Sequence, residues 1–105
     1  MIEGARFHPL AWSDLDEAVD WYERRQAGLG EELWESVRDA VERAVTDPTF
    51  FPVEFQQMQR VRVDRFPYSV YYQVLHSTVV VMAIHHHSRE WGDLEQRTRD
   101  QRDTS

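Results

Sequence analysis

The stretch Val61-Arg62-Val63-Asp64-Arg65-Phe66-Pro67-Tyr68-Ser69-Val70-Tyr71-Tyr72 decides the fold of this chain. Valines alternate with charged residues in its first part, which predicts a strand over Arg60–Asp64 with one buried face and one basic face. Phe66-Pro67 interrupts the alternation and predicts a turn. A second alternating run then predicts a strand over Tyr68–Val74.

The next segment, Thr78–His87, is an almost continuous apolar run. Such a run is typical of a central strand that is covered on both faces. The connection through His76-Ser77 is short, so we expect this strand to pair antiparallel with the strand before it. Residues Glu3–Phe7 are a plausible additional strand at the other end of the chain.

Between these strand segments lie two stretches with helical periodicity. The first opens at His8-Pro9 or at Ser13, where Asp16 completes a capping-box pattern, and it continues to about Arg25. The second ends at Asp47-Pro48, because the residue before a proline is pushed out of helical geometry. The apolar stripes of the two helices consist of Ala11, Leu15, Ala18, Val19 and Tyr22, and of Leu33, Val37, Ala40, Val41 and Ala44. Gly28 and Gly30 indicate a tight turn that makes the two helices an antiparallel hairpin.

The fold class predicted from this order is α+β. It comprises an N-terminal strand, an antiparallel two-helix hairpin and a three-strand antiparallel meander, with the helices packed on one side of a small sheet. A chain of 105 residues is sufficient for one core. We expect a single domain over residues 1–97 and a polar, frayed tail over residues 98–105.

The composition excludes several classes of protein. The chain has no cysteine, which removes disulfide scaffolds, thiolate zinc sites and cysteine nucleophiles. All twelve basic residues are arginine, so no mechanism can depend on a lysine. No apolar run is long enough to cross a bilayer, and the first residues do not resemble a secretory signal, so we expect a cytoplasmic protein without membrane contact.

Charge is distributed unevenly along the chain. The formal net charge is −7, and eleven acidic residues between Ser13 and Asp47 face only four arginines. Arg60, Arg62 and Arg65 instead form a small basic patch. Such a patch can bind a phosphate or a carboxylate even on an acidic protein. Alternatively, it is a solvated strand face that pairs with the acidic helices.

Two further groups of side chains are candidates for function. In the run His85-His86-His87, the first and third rings point to one side of a strand and His86 points to the other, so at most two could share an ion. We therefore expect no metal site. Trp12 and Trp21 lie on nearly opposite sides of the first helix, so one of them is expected at a partner interface.

These residues together resemble the RelE/ParE superfamily of toxin–antitoxin toxins. The resemblance spans about Ala5 to Arg97. It is carried by Pro9 with Leu15, Ala18 and Tyr22, by Gly28-Leu29-Gly30, by Asp47-Pro48, by Val61 to Tyr72, and by Val79 to Arg89 with its Ala83, His86 and Arg89. It implies a toxin of a bacterial type II system that is neutralised by a small antitoxin encoded beside it.

The superfamily contains two mechanisms. RelE-like members cleave mRNA on the ribosome, which here would use Arg60, Arg62 and Arg89 for charge and His86 for proton transfer. ParE-like members inhibit DNA gyrase and are not nucleases. This chain is acidic, lacks lysine and has no tyrosine after Tyr72, all of which depart from the RelE-like pattern.

We therefore expect a ParE-like gyrase inhibitor, which is not an enzyme. The alternatives are a RelE-like endoribonuclease acting on ribosome and mRNA, or a degenerate member that only binds antitoxin. The residues expected to bind antitoxin or target are Arg60, Arg62, Arg65, Trp12 and Trp21. No metal or organic cofactor is implied, and both a homodimer and a toxin–antitoxin hetero-oligomer are compatible with the resemblance.

Overall fold

The computed structural model describes residues 4–88, which form two helices and five strands. The elements in chain order are β1 (Ala5–Phe7), α1 (Pro9–Arg25), α2 (Leu29–Thr46), β2 (Val53–Phe55), β3 (Met58–Arg62), β4 (Tyr68–Leu75) and β5 (Thr78–His86). Arg89 and the predicted polar tail over 98–105 lie outside the described residues.

The five strands form one sheet in the order β1-β5-β4-β3-β2. Strands β3, β4 and β5 are the predicted antiparallel meander, and β1 pairs parallel with β5. The α+β prediction is confirmed, with one addition. Strand β2 was not predicted, because three residues are too short to show an alternating pattern.

Strand β5 lies between β1 and β4 and is buried along most of its length, from Val79 to His85. One of its faces contributes to the main core beneath the helices, which also contains Val61, Val70 and Tyr72. A second, smaller cluster occupies the other face and consists of Met58, Tyr71, Val80, Met82 and Ala83. The predicted central strand with two covered faces is therefore confirmed.

Helix α1 begins at Pro9, the first of the two predicted starts. His8 precedes it as the N-cap residue, and its Nδ1 accepts a hydrogen bond from the Leu10 amide at 3.1 Å. The alternative start at Ser13 is wrong, since Ser13 lies in the second turn of the helix. A proline at the first helical position suits this start, because it has no amide hydrogen to leave unpaired.

The turn between the helices is tighter than the glycine pattern indicated. Gly28 has a left-handed φ of 90°, and α2 begins immediately after it at Leu29. Gly30 therefore lies inside the helix and not in the turn. A Cβ at Gly30 would lie 2.6 Å from the Val19 carbonyl oxygen, so this glycine permits close contact between the two helices.

Glu23 of α1 holds the start of α2 in place. Its carboxylate accepts hydrogen bonds from the Gly28 amide at 2.8 Å and from the Gly30 amide at 3.0 Å. These amides belong to the group of donors that a helix N-terminus leaves unpaired, and the negative charge is favourable at this end of the helix dipole.

Substitution of Gly30 by alanine is expected to lower the free energy of unfolding by about 1–3 kcal/mol, because the added Cβ overlaps a backbone oxygen that cannot move independently. Urea denaturation followed by circular dichroism measures the change. Glu35→Ala, at an exposed position beyond the first turn of α2, is the matched control and should change stability by less than about 0.5 kcal/mol. Equal stability of the Gly30→Ala variant and the native chain would contradict the close helix contact.

Candidate functional site

A β-bulge in strand β5 determines which side chains can form a site. Tyr71 pairs with Ala83 while the next residue, Tyr72, pairs with Val81, so the register shifts by one residue and Met82 is the extra residue of the bulge. Beyond the bulge, the Asp14 carboxylate of α1 accepts a hydrogen bond from the Ile84 amide at 3.1 Å. An extra residue reverses the alternation of side chains, so every residue after Met82 changes face.

The reversal places His86 on the helix side of the sheet. Its ring makes an edge contact with Tyr68, at 4.9 Å between centroids, and Tyr68 belongs to the main core. Its Nδ1 accepts a hydrogen bond from the Ser88 amide at 3.1 Å. The predicted catalytic set is therefore divided, because Arg60 and Arg62 alternate with the core residue Val61 and point to the opposite face.

The face opposite the helices carries its own polar group, which we call the basic sheet face and define as Arg60, Arg62, Ser69, His85 and His87. Ser69 is completely buried and lies between two basic side chains. Arg60 Nε donates a hydrogen bond to Ser69 Oγ at 2.9 Å, and His87 Nε2 lies 3.0 Å from the same oxygen. One hydroxyl thus sets the spacing of a guanidinium and an imidazole.

Arg60, Arg62 and Arg65, the arginines of the predicted basic patch, differ in their ion pairing. Arg65 Nη2 lies 3.0 Å from Glu32 of α2, so the interpretation of the patch as paired with the acidic helices holds for this residue. Within residues 4–88, Arg60 and Arg62 form no ion pair. Arg60 is half-buried and Arg62 is exposed, so two guanidinium groups remain available on the basic sheet face.

The electrostatic environment of His87 reflects these two arginines. Burial lowers the pKa of His87 below its ordinary value, and the charges of Arg60, Arg62 and His86 lower the pKa further. A hydrogen bond with the Tyr68 backbone acts in the opposite direction. His87 is therefore mostly neutral near pH 7, and its charge increases only when the pH falls or an anion binds nearby.

The two predicted interface tryptophans are both on the surface of α1. Trp12 is 41% exposed and stacks on Phe7, with 4.2 Å between the ring centroids. Trp21 is 49% exposed, and the Arg25 guanidinium lies 4.0 Å from the centroid of its ring. Both rings are held in place by a neighbour while still presenting a large apolar surface, as interface anchors do.

Neither a metal-binding cluster nor a membrane-spanning helix is found in the described part of the chain. Within residues 4–88, no group of three or more histidine, aspartate or glutamate side chains is arranged to hold a metal ion. The helices among these residues are also too short or too polar to span a bilayer. His85 and His87 share one face, as predicted, and the His85 ring lies against Tyr71.

The fold and this geometry define a small α+β domain with an acidic helical layer and a basic sheet face. The family model of the ParE toxin of the type II toxin–antitoxin system, parDE, matches residues 5–91. The chain belongs to this toxin family. The match confirms the resemblance to RelE/ParE toxins and favours its ParE branch.

A solved structure supports the same fold. The chain is similar to a structure described as the chromosomal ParDE TA system from P. aeruginosa, with a TM-score of 0.59 and 20% sequence identity. The alignment covers 79% of this chain and 94% of the other. At this identity the similarity establishes the fold. No curated protein sequence is significantly similar to the chain.

Sequence reasoning missed Ser69 and His87 as members of the site. Ser69 gave no signal, because a serine in an alternating strand is ordinarily a surface residue. His87 was considered only as part of the histidine run, since a regular alternation from Val79 would have placed His86 on the same side as Arg60. A bulge leaves no mark in the hydrophobic pattern of a strand that is apolar on both faces.

Replacement of Arg60 by glutamine is expected to raise the pKa of His87 toward its ordinary value, because the variant removes a positive charge that disfavours the imidazolium. Titration of the His87 Cε1–Hε1 resonance by NMR measures this shift. Arg65→Gln is the control, because Arg65 pairs with Glu32 and does not contribute to the environment of His87.

The lowered pKa of His87 in the native chain also makes the stability of the protein depend on pH, in a direction that can be stated. Because the pKa of folded His87 lies below that of the unfolded chain, the unfolded state binds more protons as the pH falls through the ordinary histidine range. His87 therefore makes the protein less stable on acidification, and Arg60→Gln should reduce this loss. An unchanged pKa in the variant would contradict the electrostatic coupling.

Proposed function

We propose that this chain is the toxin of a bacterial type II toxin–antitoxin system that acts in the cytoplasm by binding and inhibiting DNA gyrase. A cognate antitoxin, encoded beside it, would neutralise the toxin by direct binding. The match of the ParE toxin model over residues 5–91 is the observation that carries the proposal. A toxin of this kind works as a binding protein and needs neither a cofactor nor a catalytic group.

The charge distribution supports a protein target over an RNA target. Helices α1 and α2 together carry ten acidic residues and four arginines, and they pack on one side of the sheet. A surface of this sign repels the phosphate backbone of ribosomal RNA and mRNA. The separation of His86 from Arg60 and Arg62 also removes the acid–base arrangement that the endoribonuclease alternative required.

The endoribonuclease alternative keeps one specific observation in its favour. His87, and not His86, lies beside a guanidinium, because Ser69 Oγ is within hydrogen-bond distance of both His87 Nε2 and Arg60 Nε. A neutral imidazole next to a cation is an arrangement that can abstract a proton near a phosphate. A nuclease built on this fold would therefore use His87.

A gyrase supercoiling assay with the purified chain, freed of antitoxin, tests the proposal, and ribosome-bound mRNA is assayed in parallel. We expect loss of supercoiling with intact mRNA. His86→Ala should inhibit gyrase as strongly as the native chain, because gyrase inhibition uses no acid–base group. Circular dichroism of each variant confirms that the fold is retained.

Two other results would contradict the proposal. Cleaved mRNA with normal supercoiling would establish the nuclease, and His87→Ala should then lower cleavage by about 10²–10⁴-fold while His86→Ala does not. Binding of the antitoxin without effect on either gyrase or mRNA would identify a degenerate member of the family.

The exposed tryptophans are expected to anchor a partner protein. Trp12→Ala and Trp21→Ala should each leave the fold intact, and at least one should weaken binding of antitoxin or gyrase by about 30-fold, as truncation of an aromatic hot spot does. Affinities for both partners are measured by calorimetry. Val74→Ala is the control, since Val74 is 41% exposed, as Trp12 is, but lies on β4. Unchanged affinities in both tryptophan variants would show that α1 is not the interface.

A further inference from the structure

The basic sheet face contains two positive charges that no carboxylate of the described residues neutralises in an ion pair. The guanidinium groups of Arg60 and Arg62 form no ion pair within residues 4–88, whereas Arg24, Arg43 and Arg65 each have a carboxylate within 4.0 Å. A protein with a net charge of −7 has more carboxylates than basic groups. Arg6, Arg25 and Arg38 also form no ion pair within these residues, but of these five arginines Arg60 and Arg62 lie next to each other on one face of a strand.

The position of these arginines is fixed by the sheet. Arg62 pairs in register with Ser69, and Ser69 pairs with His85, so the three residues form a row across β3, β4 and β5. Arg60 of β3 and His87, the residue after β5, contact the same Ser69 hydroxyl from opposite sides of β4. Because Ser69 is completely buried, its hydroxyl is not accessible to a bound substrate as a nucleophile, although it contacts both basic groups.

We propose that Arg60, Arg62 and His87 form a carboxylate-binding site for an acidic segment of a partner protein, with Ser69 as the positioning residue. The proposal rests on the proposed function only in that the chain acts by binding proteins. A planar guanidinium is well suited to a carboxylate, which it can bind through two parallel hydrogen bonds. His87 and Arg62 are exposed and Arg60 is half-buried, so an extended peptide can reach the site from solvent.

The surroundings favour a short acidic segment over a nucleic acid. Long-range repulsion from a chain of charge −7 opposes any polyanion, but surface charges are screened within about 8 Å at physiological ionic strength. One or two carboxylates therefore experience mainly the local arginines. A continuous phosphate backbone would extend beyond this face toward the acidic helices and would meet the opposing charge.

His87 makes the site sensitive to pH. The charged groups that act on His87 are Arg60 and Arg62 from β3 and His86 from its own strand, and the buried Ser69 hydroxyl contacts it from β4. All three charges disfavour the imidazolium in the free protein. A bound carboxylate reverses this balance, so binding should tighten as the pH falls and His87 takes up a proton.

The test uses the full chain and a capped five-residue peptide of alternating alanine and glutamate, followed by NMR. We expect the glutamate peptide to shift the Nε–Hε resonances of Arg60 and Arg62 and the ring resonance of His87, and to leave Arg65 unchanged. The same peptide with glutamine in place of glutamate should have no effect. Arg60→Gln should weaken binding about tenfold, and Arg65→Gln should not.

Two further variants test the individual roles. Affinity for the glutamate peptide should be higher at pH 5.5 than at pH 8, because protonation of His87 favours binding. The peptide glutamates, with an ordinary pKa of about 4.3, remain mostly ionised at both pH values. His87→Gln should remove this pH dependence, and Ser69→Ala should weaken binding although all three basic groups remain. Equal shifts at all arginines would indicate unspecific attraction and overturn the proposal. So would tighter binding of a single-stranded RNA oligonucleotide at the same resonances. Neither readout involves gyrase or the antitoxin, so the failure of this site and the failure of the proposed function are separate results.

Discussion

The pairing of β5 with β4 under the two helices is the constraint on which the rest of this structure depends. Strand β5 is hydrogen-bonded to β1 on one side and to β4 on the other, and its apolar side chains enter the cores on both faces of the sheet. Helix α1 contributes Asp14 directly to the β5 backbone. The faces on which His85, His86 and His87 lie follow from the register of this one strand.

The bulge at Met82 decides which of the three histidines lies beside Arg60. Without the extra residue, His86 would lie on the same side as Arg60, and His85 and His87 would point toward the helices. With it, His86 packs against Tyr68, and His87 reaches the Ser69 hydroxyl that also binds Arg60. Bulges are often found where a strand must redirect a side chain toward a site, and this one assembles the basic sheet face.

The two sides of the molecule carry opposite charge. The helices present acidic residues together with Trp12 and Trp21, whereas the opposite side of the sheet presents Arg60 and Arg62. Surfaces of opposite charge can select different partners by electrostatic complementarity. Arg65 contributes to neither surface, since it forms an ion pair with Glu32.

The sequence by itself determined the α+β class, the helix hairpin and the three-strand meander, because burial imposes a period of 3.6 on helices and of 2 on strands. It also identified Arg60 and Arg62 correctly as a pair on one strand face. Only the tertiary structure decided that α2 includes Gly30, that β2 exists, and that His87 replaces His86 beside Arg60. These features depend on close backbone contact and on a one-residue bulge. Both are set by packing between segments that are distant in the chain, and neither changes the local pattern of apolar residues.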